Sequence, residues 1–156
     1  MSELSGNYSG GCMCRRVRFE VDGEPNWVGH CHCDSCRRHS GASMSTYVGF
    51  ESDQVRFVTG ERKVYESSPS VYRTFCPDCG STLTWEGNWP GMGSLIEIHI
   101  GAFDKPELFR PVSHMMYAER VSWFDVADEL PRYAGEHSPN GPPPLSYGPV
   151  SDALRD

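Results

Sequence analysis

The stretch Cys31-His32-Cys33-Asp34-Ser35-Cys36 places three thiols within six residues, close enough to converge on one ion once the backbone turns. Thiolates are soft ligands that suit zinc, and a structural zinc takes four of them. This run supplies three. A fourth protein ligand would close the site. Water, a substrate thiol or a hydroxyl in that position would keep it open for chemistry.

The remaining cysteines bear on that choice. Cys12 and Cys14 form a Cys-x-Cys pair, and Cys76 and Cys79 form a Cys-x-x-Cys pair between a strand end and Gly80. Each pair is half of a tetrahedral site, so the seven cysteines divide into a closed set of four and an open set of three. Other divisions remain open at this level: a second closed site completed by histidine, an iron–sulfur cluster or a redox pair. A thioredoxin-like reading of Cys76-Pro77-Asp78-Cys79 is weakened because no βαβ pattern surrounds it.

The 156 residues and 38% hydrophobic content fit one domain, expected over residues 1–136. Residues 137–156 hold Pro139, Pro142-Pro143-Pro144 and Pro149 and read as a proline-rich tail, extended or disordered. The formal charge of −7 argues against a nucleic-acid partner, whose phosphates require a basic face. No apolar run approaches the length of a membrane span. The first residues lack the basic-then-apolar order of a secretory signal. An odd number of closely spaced cysteines suits metal ligation better than a disulfide framework, so cytoplasm is the expected location.

Strand signals dominate the chain. Val17-Arg18-Phe19-Glu20-Val21 alternates, with Arg18 expected toward solvent, and Asp22-Gly23-Glu24-Pro25 stops it. Strands are expected over 43–50, 55–58, 62–66, 71–75, 81–85 and 95–100, with β-like composition again over 112–117 and 121–124. Ile96, Ile98 and Ile100 would share one face, Glu97 and His99 the other. Residues 87–93 read as a loop, with Trp85 and Trp89 able to frame a pocket. Helical turns are expected from Asp34 to His39, ended by Gly41, from Asp104, as a cap, to Phe109, and over 125–130. Gly10-Gly11 would let the backbone approach a metal. Trp27 and Val28 would wall the three-cysteine site or simply fill the core.

Charged and titratable neighbours complete the expectation. Three thiolates on zinc carry a formal −1, which Arg37 or Arg38 could offset while gripping an anionic ligand. His30, His32 and His39 are candidates for proton transfer, because histidine titrates near neutrality. His99 is a weaker candidate for a zinc ligand.

The ordered set Cys12-x-Cys14 with Val17-x-Phe19, Cys31-x-Cys33-x-x-Cys36-Arg37, Phe75-Cys76-x-x-Cys79-Gly80 and Trp123 with Leu130-Pro131 resembles the glutathione-dependent formaldehyde-activating enzymes. The centromere protein V group belongs to the same superfamily. The resemblance covers roughly Gly6 to Tyr133. It implies a mainly β, Mss4-like fold of several small coiled antiparallel sheets around zinc knuckles. It also implies two Zn2+ per chain, one structural on Cys12, Cys14, Cys76 and Cys79 and one catalytic on Cys31, Cys33 and Cys36. The implied activity is carbon–sulfur lyase chemistry on a thiol–aldehyde adduct, with glutathione and formaldehyde as partners. A zinc-stabilised interaction module without catalysis is the alternative.

Overall fold

The computed structural model describes residues 7–136; the expected tail lies outside them. Ten strands dominate: β1 (Asn7–Gly11), β2 (Arg18–Asp22), β3 (Trp27–Cys31), β4 (Ser45–Glu51), β5 (Val55–Thr59), β6 (Lys63–Ser68), β7 (Val71–Phe75), β8 (Thr82–Trp89), β9 (Gly93–His99) and β10 (His114–Met115). One α-helix, α1 (Asp34–Ser40), interrupts them after β3. No described helix is long and apolar enough to cross a membrane.

The strands make a three-stranded sheet, ordered β1-β2-β5, and a seven-stranded sheet, ordered β10-β3-β4-β9-β8-β7-β6. All pairings in both sheets are antiparallel except that of β10 with β3, which is parallel. The mainly β class is therefore as expected. The sheets differ from a set of small antiparallel ones, because β10 returns from a distant segment to extend the larger sheet beside His30 and Cys31.

Alternation along β4 explains why that sheet is covered on both faces. Successive side chains of a strand point to opposite sides. Val48 and Phe50 enter one core with Phe19, Val21, Val28, Leu83, Ile96 and Ile98. Tyr47 enters a second with Trp27, Cys31, Cys36, Val112 and Met115. The first core is aromatic at its lower end, where Phe103 packs edge-on to Phe19 at 5.4 Å and tilted to Phe109 at 4.5 Å. Phe19, Phe50, Leu83 and Ile98 are fully buried, each contributing about 1.5–3 kcal/mol of burial. The second core contains the hexapeptide's thiols. One wide sheet thus separates a packing face from a polar, cysteine-bearing face.

Several local expectations are corrected. The loop expected over 87–93 is narrower, a turn at 90–92: β8 runs on to Trp89 and pairs Asn88 with Ser94 and Trp89 with Gly93, because the ladder with β9 outweighs the turn-rich composition. Of the β-like stretch 112–124, only His114–Met115 is strand, and Tyr117–Glu119 is a single 3-10 turn. Residues 125–130 form no helix. Asp104 caps nothing; it binds Arg18 and the Ser9 hydroxyl, so Arg18 lies on the solvent side as expected, tied across the surface. The 3-10 turn that follows spans Pro106–Leu108. Gly10 serves packing: a Cβ there would lie 2.2 Å from the Ala102 carbonyl oxygen and 2.4 Å from Phe19 Cζ.

Candidate metal centres

Cys12 and Cys14 lie in the turn between β1 and β2, which is closed by the Cys12 N–H donating to the Val17 carbonyl at 3.0 Å. Cys76 follows β7 directly, and its knuckle is closed by Cys76 N–H to Ser81 O (3.0 Å) and Gly80 N–H to Cys76 O (2.9 Å). Gly80 has φ +74°, a conformation glycine adopts without a Cβ penalty. The two turns bring all four sulfurs within 4.8 Å of one another. Cys12 Sγ lies 3.5 Å from Cys14 Sγ, which is 3.8 Å from Cys76 Sγ. A tetrahedral zinc with bonds of about 2.3 Å requires sulfurs about 3.8 Å apart, so the donors and their spacing fit the ion. Cys79 is pulled down to about 5 by the Ser81 hydroxyl and by backbone hydrogen bonds from Cys14 and Ser81.

The second cluster is built by a strand, a turn and a helix start. Cys31 ends β3, Cys33 is the N-cap of α1, and Cys36 lies in its first turn. Cys33 Sγ accepts the Cys36 N–H at 3.2 Å, the role an N-cap oxygen ordinarily fills. The three sulfurs lie within 4.8 Å of one another. The Ser45 and Ser40 hydroxyls hold the Cys36 carbonyl at 3.0 and 2.8 Å. Hydrogen bonds from Cys31 and Cys33 push the Cys36 thiol toward its anion, and the same sharing pushes Cys31 up. Three soft donors around one point fit a metal ion with one position left over.

The charge on Cys36 is met by a residue that sequence reading missed. Arg73, on β7 and only 7% exposed, places Nη1 3.6 Å from Cys36 Sγ. Arg37, by contrast, donates to the carbonyl oxygens of His32 and Glu119, so its guanidinium clamps the helix to the later chain. Arg38 pairs with Asp34 at 2.9 Å and is exposed.

Cross-strand register lines Arg73 up with Trp85, Glu97 and Gly49 on the cysteine-bearing face. Tyr47 and His99 form the next row, their rings 4.2 Å apart, and His39 meets His99 at 5.6 Å. His99 belongs to neither thiol cluster, so the ligand role considered for it is not what its position supports. Burial lowers His99 to about 3 and raises Glu97 to about 8, the latter helped by the charge of Cys36. Both ring nitrogens of His39 and Nε2 of His99 are buried without a hydrogen-bond partner among the described residues. Trp27 and Trp85 pack against the same cluster, and Val28 lies in the opposite core.

His30 and His32 lead to another group that sequence reading missed. His32 Nε2 lies 2.7 Å from His114 Nδ1, and His114 Nε2 lies 2.9 Å from Asp128 Oδ2. His30 stacks on His114 at 4.7 Å and binds Thr46 Oγ1 through Nδ1. His30, His114 and Asp128 have metal-ligand types within reach of one another. Arg132 already neutralises Asp128 at 3.0 Å, which disfavours a second cation there. The only sequence signal for this group was the Leu130-Pro131 motif beside Asp128.

A wide cleft of about 760 Å³ opens elsewhere, between Cys12 and Cys79 on one side and Ser40, Ser45 and His99 on the other. Cys31, Cys33 and Cys36 do not line it.

The fold and these two clusters define a mainly β protein built around cysteine groups able to chelate metal. Residues 7–119 match the glutathione-dependent formaldehyde-activating enzyme family, and the chain belongs to it. A Schizosaccharomyces pombe protein described as an uncharacterized lyase is 32% identical over 78 residues, 49% of this chain and 55% of that protein. The chain thus matches only about half the length of that relative. A crystal structure of a Rhodobacter sphaeroides protein superposes with a TM-score of 0.50 at 17% identity, covering 80% of this chain and 99% of the other, a likeness of fold.

Proposed function

We propose that the protein is a zinc-dependent carbon–sulfur lyase that acts on a thiol–aldehyde adduct of the S-hydroxymethylglutathione type. The observation that supports this reading is the contrast between the clusters. Four thiols saturate one site, whereas the other has three thiols beside a wall of titratable groups with free hydrogen-bonding capacity. Family membership and the lyase description of the yeast relative point the same way.

Zinc on Cys31, Cys33 and Cys36 would supply an acceptor for the substrate sulfur and favour its thiolate form. The balance of the reaction falls to side chains. In the lyase direction the adduct hydroxyl loses its proton, the C–S bond breaks, its electron pair stays on sulfur, and the carbonyl forms. His39, kept neutral by burial and with both nitrogens unpartnered, takes the hydroxyl proton. Glu97, kept protonated near neutrality by burial, and Tyr47, a phenol raised further by burial, serve as hydrogen-bond donors along the same face. Arg38, exposed on α1, meets an anionic group of the thiol. Cytoplasm, where small thiols stay reduced, is the compartment proposed for this chemistry.

The test is exchange NMR between formaldehyde and its glutathione adduct with zinc-loaded protein and Cys33→Ser. Acceleration by the parent alone supports the lyase. With two zincs confirmed per chain, no acceleration sinks this substrate pair and favours an interaction module.

A further inference from the structure

The edges of the two sheets are unequally protected. β10 is covered by later chain, since the His114 N–H donates to the Pro131 carbonyl and the Tyr133 N–H to the His114 carbonyl. β1 is bridged at Gly10 to Phe103. β5 and β6 have no strand beyond them among the described residues. β5 is centred on Phe57, which is partly buried with the Arg62 guanidinium 3.7 Å over its ring. β6 is bare. Val64 and Tyr65, on opposite faces, are 52% and 62% exposed, and Tyr72 on β7 is 38% exposed. An uncovered edge strand with apolar side chains on both faces is a template for another strand.

Symmetry decides which strand fits. Two copies paired antiparallel, edge to edge, are related by a two-fold axis normal to the sheet, so each face continues as the same face of the partner. Side chains alternate along a strand, so opposed residues must be both odd-numbered or both even-numbered. The register is therefore centred on one residue. Centring on Lys63 or on Glu66 sets like charges against each other. Centring on Tyr65 puts Val64 against Glu66, and Lys63 against Ser67 at the irregularity between Glu66 and Ser68. Centring on Val64 matches throughout: Val64 meets its own copy, Arg62 meets Glu66 twice, and Lys63 lies against the Tyr65 ring twice. The charged groups have capacity for this. Arg62 engages Glu86 through Nη1, and Glu66 takes the Ser70 N–H on Oε1 at 3.0 Å, so Nη2 of one and Oε2 of the other have no partner among the described residues. Lys63 has no ion pair among them either.

We propose that β6 is a self-association surface, on which a second copy of this chain adds its own β6 antiparallel, in register about Val64. The larger sheet then runs unbroken through both protomers. Both cysteine-bearing faces look the same way, and the partner's Lys63 extends the row formed by Tyr65, Arg73 and Trp85. Nothing in this depends on the lyase reading.

Sedimentation equilibrium of the zinc-loaded full chain, from about 1 µM to 1 mM, tests it. The parent should dimerise with a dissociation constant in the micromolar range, as suits a small interface. Val64→Lys brings two ammonium groups together at the axis and should weaken the dimer about tenfold or more. Glu66→Lys sets a like charge against Arg62 twice and should do the same. Both side chains are exposed, so thermal unfolding of dilute, monomeric protein should be unchanged in either variant, separating lost pairing from lost folding. A parent that stays monomeric throughout overturns the proposal and leaves an extended peptide of another protein as the occupant of this edge. A dimer that both variants leave intact overturns it too, by placing the contact elsewhere. Weakening by Val64→Lys alone would overturn the register about Val64.

Discussion

Arg73 Nη1 lies 3.6 Å from Cys36 Sγ, so a cation from β7, toward the opposite edge of the seven-stranded sheet from β3, pairs with a sulfur of the hexapeptide. A buried anion is tolerated only when it is paired, and Ser67 Oγ holds the guanidinium in place by accepting from Nε at 3.2 Å. Arg73→Met keeps much of the volume and removes the charge. Zinc affinity at the three-cysteine site should fall roughly 10–100-fold, with the four-cysteine site unaltered. Competition against a chromophoric chelator reads the two affinities separately, and equal affinities before and after the change would remove Arg73 from the site.

The two clusters differ in what they hold together. Cys76 is fully buried within the larger core and Cys12 is nearly so, so the four-thiol set ties the β1–β2 turn to the β7–β8 knuckle. Cys33 is only half-buried at a helix cap. Cys76→Ser should lower stability sharply, on the order of several kcal/mol, because a structural metal contributes directly to folding. Cys33→Ser should leave most of the stability intact and remove one zinc. Thermal unfolding by circular dichroism, paired with metal analysis, checks both. Similar losses from the two variants would contradict the division of labour.

Much of this arrangement follows from local pattern. β7 spans the predicted Val71–Phe75, α1 starts and stops where Asp34 and Gly41 require, and the cysteines converge as the four-plus-three count implies. Arg73, Glu97, His114 and Asp128 were missed for a common reason. Period two tells which residues share a face, but not that both faces of the sheet are covered. His114 meets His32 across 82 residues through a parallel pairing of only two residues, too short to show as a strand pattern. The loop expected at 87–93 is the converse case: glycine and proline signalled a turn, which is present at 90–92, and the ladder with β9 shortened it.

Glu97 makes a pH prediction with a definite sign. Burial, reinforced by Cys36, raises its carboxyl from 4.5 to about 8 in the folded protein. The folded state therefore binds a proton that the unfolded chain releases between those values. This contribution to stability is fully present below about pH 4.5 and is lost as pH rises through about 8. Glu97→Gln, which is neutral throughout, should flatten that slope and be relatively more stable at pH 9 than the parent. Urea unfolding of zinc-loaded protein at pH 6, 7.5 and 9 measures it; parallel profiles would show that Glu97 titrates normally.

Two glycines separate strain from crowding. Gly41 ends α1 at φ +70°, with its N–H on the Arg37 carbonyl at 2.8 Å and nothing within 4 Å of an added Cβ. Gly41→Ala therefore carries only the left-handed penalty, about 1 kcal/mol, and Gly41→Asn should recover part of it. Gly10 is the opposite case, since its added Cβ would meet the Ala102 carbonyl at 2.2 Å and Phe103 Cα at 2.9 Å. Backbone atoms cannot step aside as a flexible side chain can, and β1 bridges to Phe103 at this residue. Gly10→Ala should cost about 2–4 kcal/mol, in the range of severe overpacking, and weaken the four-cysteine site that begins two residues later. Denaturant midpoints rank the variants, and a Gly41→Ala loss equal to that of Gly10→Ala would show that the close approach of β1 to the Ala102 turn is not what holds this end of the molecule.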